Sequence, residues 1–250
     1  MQKRLLGALG GIAAFVALWW ALALLVPNGY IPDPLAVFIR FVVLLPRSLG
    51  MHAAVSLGRI AVALACALAT AVPAGIGIGR SPVLDRIFSP VAYLLYPVPK
   101  IALLPVIMLL FGLGNISKVV IVFLVLFFQV LVAVRDAARD VPAQFMVSLR
   151  SLGATRWQVT RYAILPALLP SLLSSLRIGT GTALAVLFFA ETFGTSRGLG
   201  WFVMESWMRM SYLDMFTGIL CLGLVGLAIF LGIDRLQARL CRWQGKSQPT

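Results

Sequence analysis

The chain reads as an all-α integral membrane protein of six transmembrane helices, with its N- and C-termini in the cytoplasm. Three observations predict this. The 250 residues are 61% hydrophobic and only 12% charged, whereas soluble domains carry about 25% charged residues. Apolar runs recur at lengths near the roughly 20 residues that cross a bilayer as helix. The 21 Lys and Arg collect mainly in the segments between those runs, as the positive-inside rule requires. A net charge of +13 would suggest nucleic acid in a soluble protein. Here topology accounts for it, so the expected surroundings are a lipid bilayer and no nucleic acid.

Met1-Gln2-Lys3-Arg4 followed by the apolar run Leu5–Val26 is similar to a secretory signal. That run exceeds the 7–15 residues of a signal core, so it reads as an uncleaved first span. Asp33-Pro34 starts a helix, and Asp33–Ser48 is apolar, short and broken by Arg40. That pattern predicts an interfacial helix on the outer surface. The second span is Arg59–Gly79. The third, Phe88–Leu113, is interrupted by Pro97, Pro99 and Pro105. The fourth is Ile116–Val134, the fifth Leu172–Phe193 and the sixth Met215–Ile233. With the N-terminus inside, the inner segments hold fourteen Lys and Arg and the outer side seven, which together make the 21. Small residues in Ala63–Gly79 and Ile178–Ala185 predict close helix packing. Trp201, Trp207 and Tyr212 fit an interface belt more readily than a ligand cage. The chain divides on this reading into residues 1–58 (first span and outer helix), 59–238 (five spans, with a cytoplasmic segment at 135–171) and a tail at 239–250.

Few residues suit catalysis. His52 is the one histidine, and no Cys or His beside it supports a metal site or a triad. Cys66, Cys221 and Cys241 are odd in number and lack a CxxC spacing, so they read as free, packed thiols. Lys100, Arg177 and Glu191 lie within spans, where ionisable side chains are functional candidates by default. Thirteen residues separate Arg177 from Glu191, roughly 20 Å of helix against a hydrocarbon core of about 30 Å. One of those charges must therefore sit at depth or snorkel. Two readings stand. A cation helps an anion through, or Lys100 and Glu191 lie near the outer interface or satisfy each other.

The segment between the fourth and fifth spans is built to a plan. Pro142 can start a helix, and Phe145, Leu149 and Leu152 share one helical face. Gly153 stands where a helix end favours a left-handed residue. Thr155 and Gln158 have capping-box spacing, so a second helix starts there. Pro166 ends that helix or kinks the entry into the next span. Such a segment is either a returning loop or a docking surface that presents apolar and basic side chains together.

This stretch resembles a known pattern. "LRSLGATRWQVTRYAILP" is similar to the EAA loop of ABC importer permeases, in which a glycine precedes Leu-Pro by about a dozen residues. Here these are Gly153 and Leu165-Pro166. "YPVPKIALLPVIMLLFGLGNISK" and "SLRIGTGTAL … AETFGTSRGLG" resemble tracts of the nitrate/taurine/alkanesulfonate class. The similarity runs from about Arg59 to the C-terminus. In one departure, the family's E-A-A falls on Val147-Ser148-Leu149, so the signature acid is missing.

The resemblance implies the six-helix type I importer fold in a bacterial cytoplasmic (inner) membrane. It implies a second permease copy in a homodimer, two ABC ATPase subunits and an extracytoplasmic solute-binding protein. Leu149, Arg150, Ser151, Leu152, Gly153, Ala154, Thr155, Arg156, Trp157 and Pro166 would couple to the ATPase. The chain has no Walker A sequence, so no cofactor is expected on it, and ATP and Mg belong to the ATPase. The implied solute is a small anion such as a sulfonate, taurine or nitrate. Related classes carry thiamine precursors, phosphonate or amino acids, and an intramembrane hydrolase is the alternative of another kind.

Overall fold

The computed structural model describes residues 2–26 and 29–243, with side chains described from Gly10 onward. Lys246, the side chains of Lys3 and Arg4, and most of the 239–250 tail therefore lie outside the described residues. Every regular element among those described is helical: α1 (Gln2–Leu25), α2 (Pro34–Leu44), α3 (Gly50–Arg80), α4 (Pro82–Leu95), α5 (Leu104–Phe111), α6 (Asn115–Arg139), α7 (Ala143–Ser151), α8 (Arg156–Val159), α9 (Leu165–Glu191), α10 (Leu199–Met208) and α11 (Tyr212–Leu240).

Four helical runs are long and apolar enough to cross a membrane: Pro34–Arg80, Asn115–Arg139, Arg156–Glu191 and Tyr212–Leu240. A fifth crossing is available if α4 and the Lys100–Phe111 helix act together, although they meet at 84°. In α1, Gly10–Leu25 is a shorter apolar stretch. The expected third span is thus two helices joined at a sharp break. Pro97 and Pro99 lie in that break, where a helix would lose its N–H donors, and a 3₁₀ turn at Lys100–Leu103 leads into α5.

Two boundaries differ from the sequence expectation. The expected separate interfacial helix runs without interruption into α3, through a π turn at Leu45–Leu49 that contains Pro46. Pro166 does not stop the second helix of the cytoplasmic segment. A π turn at Thr160–Ile164 carries α8 directly into α9. In both turns one backbone N–H reaches back five residues, Gly50 to Leu45 and Leu165 to Thr160. The shifted register absorbs a residue that cannot donate.

The chain forms two compact units, Met1–Leu57 with Glu191–Val225 and Gly58–Ala190 with Gly226–Thr250. The first has a core of Leu49, Leu199, Phe202 and Cys221. Its second helix is tied to α11 by Arg40, whose Nε lies 2.7 Å from Asp214. Asp33 caps α2 by accepting from the Leu35 N–H. Trp201 stacks on His52 and Tyr212 packs edge-on against Tyr30, while Trp207 is exposed.

The second unit has two apolar clusters, one around Leu131, Val134, Leu168 and Leu173, the other around Ile60, Ile121, Leu126 and Leu187. Small residues set the helix spacing. A Cβ on Gly75 would lie 2.9 Å from Val134 Cγ1, and one on Gly79 would run into the Arg135 carbonyl. The α3 and α6 backbones therefore approach at positions where only glycine fits. All three cysteines are free, but Cys66 is exposed, not packed.

Candidate functional site

The cytoplasmic segment folds as its local sequence dictates. α7 ends in a Schellman motif: Ala154 N–H donates to the Leu149 carbonyl (3.0 Å) and Gly153 N–H to that of Arg150 (2.9 Å). Gly153 takes φ 80, a left-handed conformation that costs an L-residue about 1–2 kcal/mol. The capping box is complete. Thr155 Oγ1 accepts from the Gln158 N–H at 3.3 Å, and Gln158 Oε1 accepts from the Thr155 N–H at 2.7 Å.

The surface of this segment has an apolar character that nothing among the described residues covers. Phe145, Val147, Leu152, Tyr162 and Trp157 are all exposed, Trp157 by 66%. Arg150, Ser151, Thr155 and Arg156 are exposed beside them, while Leu149, Ala154 and Pro166 are half-buried. Phe145, Leu149, Tyr162, Pro166 and Trp243 line a groove of about 500 Å³. Val147 adds to the apolar surface. Underneath, Met146 and Val159 are buried. Arg80, at the end of α3, donates to the Ala138 carbonyl (3.2 Å) and to the Met146 sulfur. The segment is thereby attached to the ends of two long helices.

The three candidate pathway residues have different surroundings. Arg177 lies mid-way along α9 and pairs with Asp234 of α11 at 2.6 Å, with its guanidinium over the Phe230 ring at 4.6 Å. Its Nε is buried without a hydrogen-bond partner. Lys100 lies at the break after α4. Its ammonium donates to the carbonyls of Leu95 (2.7 Å) and Tyr96 and faces the rings of Tyr96 and Phe128, 5.6 and 5.1 Å away.

Glu191 ends α9 and is 1% exposed. Both its oxygens accept from the Ser56 hydroxyl (2.8 and 2.9 Å), and Oε2 also accepts from the Gly200 N–H at 2.9 Å. Ser56 Oγ in turn accepts from the Leu199 N–H at 2.8 Å, and His52 Nδ1 accepts from the Gly198 N–H at 3.2 Å. The first amides of α10 are thus held by a carboxylate, a hydroxyl and an imidazole, which satisfies donors a helix start leaves open. Gly198 has φ 120, and a Cβ there would lie within 2.6 Å of both Glu191 oxygens. The first glycine of the "RGLG" tract follows from this close approach.

Sequence reasoning missed His52 and Ser56 as partners of that tract. It also missed two buried cations, Arg59 and Lys118. Arg59 Nε donates to Asn115 Oδ1 at 3.0 Å, and Lys118 donates to the Leu113 carbonyl. The FG-x-G-x-x-SK tract thus carries a buried cation directly after its glycines. Only that motif hinted at it.

Similarity to known proteins defines the class: an ABC transporter permease. Residues 71–245 match the family described as binding-protein-dependent transport system inner membrane component, and the chain belongs to that family. The taurine transport system permease protein TauC of Escherichia coli K12 is 31% identical over 256 residues, covering 99% of this chain and 93% of that protein. The putative aliphatic sulfonates transport permease protein SsuC of Bacillus subtilis is 28% identical, covering 93% and 85%. The formylaminopyrimidine transport permease protein ThiX of Halalkalibacterium halodurans is 26% identical, covering 92% and 93%. Among solved structures, an inward-facing MetNI methionine ABC transporter aligns with TM-score 0.63 over 77% of this chain and 95% of that one, at 19% identity. That likeness shows a shared fold.

Proposed function

We propose that this chain is the translocation subunit of an ATP-driven importer of small organic sulfonates, of which taurine is the first candidate. The observation that carries the reading is the exposed apolar and basic surface of α7 and α8 on a rigid helix–glycine–helix frame. An exposed apolar surface of that kind outside the apolar spans marks an interaction site. The similarity to TauC and SsuC supports the sulfonate class.

On this reading the chain crosses the inner membrane six times, with both termini in the cytoplasm, and pairs with a second copy. Residues Leu149–Trp157 and Pro166 dock on one of two ATPase subunits, which hold ATP and Mg. A solute-binding protein delivers the sulfonate from outside. When the ATPases close, α7 and α8 move with them. Arg80 and the unbroken α8–α9 run carry that movement into the spans, which switch as packed bodies between two arrangements. Hydrolysis stays on the ATPase. The hydrolase alternative finds no support among the described residues: His52 is buried and its Nδ1 is committed to the Gly198 amide.

Gly153 tests the docking role cleanly. A Cβ there meets nothing within 4 Å, so substitution acts through the backbone alone. Gly153→Ala costs about 1–2 kcal/mol of loop geometry, and Gly153→Val costs more because β-branching disfavours positive φ further. The assembled complex carrying Gly153→Val is expected to insert normally. It should lose ATPase co-purification or hydrolyse ATP without taurine uptake in proteoliposomes. Normal uptake with the ATPase still bound would remove the docking assignment.

A further inference from the structure

Two cavities lie against the same face of α6. The upper one, about 430 Å³, is lined by Tyr96, Lys100, Phe128, Gln129 and Thr182 among others. The lower one, about 750 Å³, is lined by Tyr93, Tyr96, Val132, Arg135 and Asp136 among others. Tyr96 borders both. On α6 the wall residues are Val125, Phe128, Gln129, Val132, Arg135 and Asp136. Their spacing of three and four is one helical face, so the two cavities share a continuous wall of roughly 16 Å.

The two chambers differ in charge. The upper lining includes a cation, Lys100, and no carboxylate. An ammonium has three protons. Two go to the Leu95 and Tyr96 carbonyls at the end of α4, and one remains for an acceptor in the cavity. Carbonyls and aromatic rings stabilise the cation but do not cancel its charge. In the lower chamber Arg135 is compensated. Its Nε lies 2.7 Å from Asp85 and its Nη1 3.2 Å from Asp136.

We propose that these cavities form one solute track for small organic sulfonates, with the Lys100 ammonium as the binding station for the sulfonate head and the α6 face as its wall. The anionic head meets Lys100, and the body of the solute packs on Tyr96 and Phe128. Past Tyr96 the chamber holds no uncompensated cation, so the sulfonate head is released toward Arg135. The proposal rests on the permease reading and adds to it a solute site within the chain itself.

The test uses thiol accessibility in the assembled transporter in membrane vesicles. Cys66, Cys221 and Cys241 are replaced by Ala, and Thr182→Cys and Val132→Cys report on the upper and lower chambers. The probes are the anion 2-sulfonatoethyl methanethiosulfonate and its trimethylammonium counterpart. Both reporters are expected to react. At Thr182→Cys the anion-to-cation rate ratio should fall about tenfold with Lys100→Gln, the effect of one nearby unit charge in a wet cavity, and return with Lys100→Arg. Excess taurine should slow the anionic probe while Lys100 is intact, a measurement that does not depend on how Lys100→Gln folds. No reaction at either reporter, or a ratio and a protection indifferent to Lys100, would overturn the track. Taurine uptake in the same vesicles separates the two readings. Uptake with an unmoved ratio overturns the track and leaves the permease, and a moved ratio without uptake supports the track and removes taurine as the solute.

Discussion

Gly198 and Glu191 should be thermodynamically coupled, because one exists to make room for the other. Alanine at Gly198 meets two obstacles. Its φ of 120 and ψ of 160 belong to a region essentially reserved for glycine, where strain is about 1–3 kcal/mol. Its Cβ would also lie within 2.6 Å of both Glu191 oxygens. The carboxylate cannot swing aside cheaply. It is 1% exposed and gives up bonds from Ser56 and Gly200 if it moves. Over-packing of this kind costs about 1–3 kcal/mol more, so Gly198→Ala alone is expected to cost about 2–6 kcal/mol.

In a Glu191→Ala background the steric obstacle is gone and only the backbone strain remains. Gly198→Ala there should cost about 1–3 kcal/mol. Glu191→Ala itself is destabilising, because it strands a hydroxyl and an amide, at about 1–3 kcal/mol each. SDS-titrated unfolding of the four proteins in mixed micelles gives the cycle. A coupling of about 1–3 kcal/mol is expected. If the two substitutions add to within about 0.5 kcal/mol, the glycine is not there for the carboxylate and the packing argument fails.

Two further perturbations separate local from tertiary causes. Gly77→Ala and Gly79→Ala alter different faces of the same turn of α3. A Cβ at Gly77 meets nothing within 4 Å, while one at Gly79 runs into the Arg135 carbonyl. Gly77→Ala should gain up to about 1 kcal/mol of helix propensity, and Gly79→Ala should lose about 1–3 kcal/mol, both read as shifts in thermal melting in detergent. Asp234→Asn should lower the yield of folded protein by leaving the Arg177 charge unpaired. The expected cost is about 1–3 kcal/mol, below the 3–5 of a fully buried pair because both side chains are partly exposed. Arg177→Gln with Asp234→Asn should recover most of that yield, and no recovery would show that the ion pair is not what the single change breaks.

The features readable in the sequence were those whose partners are close along the chain. The Thr155–Gln158 box spans three residues and the Gly153 turn closes on Arg150 and Leu149, so residue types alone announce them. The polar cluster at α10 was not readable, because Ser56 and Glu191 are 135 residues apart and His52 and Gly198 are 146 apart. No local pattern marks a serine on an apolar helix as an acceptor for a distant amide. Prolines misled for another reason. Pro166 reads as a helix end or a kink, since an α-helix loses a bond there, and Pro46 stands in the same kind of turn. A π turn moves the missing donor out of register and the helix continues.

The candidate charges within the spans sort by what answers them. Arg177 has a carboxylate at 2.6 Å, so the pair adds no net charge where it lies. Glu191 is surrounded by a hydroxyl and amides that fix the start of α10, and moving it disturbs packing before it touches any solute. Lys100 alone of the three is held by carbonyls and rings beside an open cavity. Carbonyl dipoles and ring faces lower the cost of placing a cation there, yet they leave its field directed into the cavity. A structural lysine would be equally well served by a carboxylate partner. The choice of neutral partners at the break between α4 and α5 makes sense if the carboxylate's place is taken by the cargo.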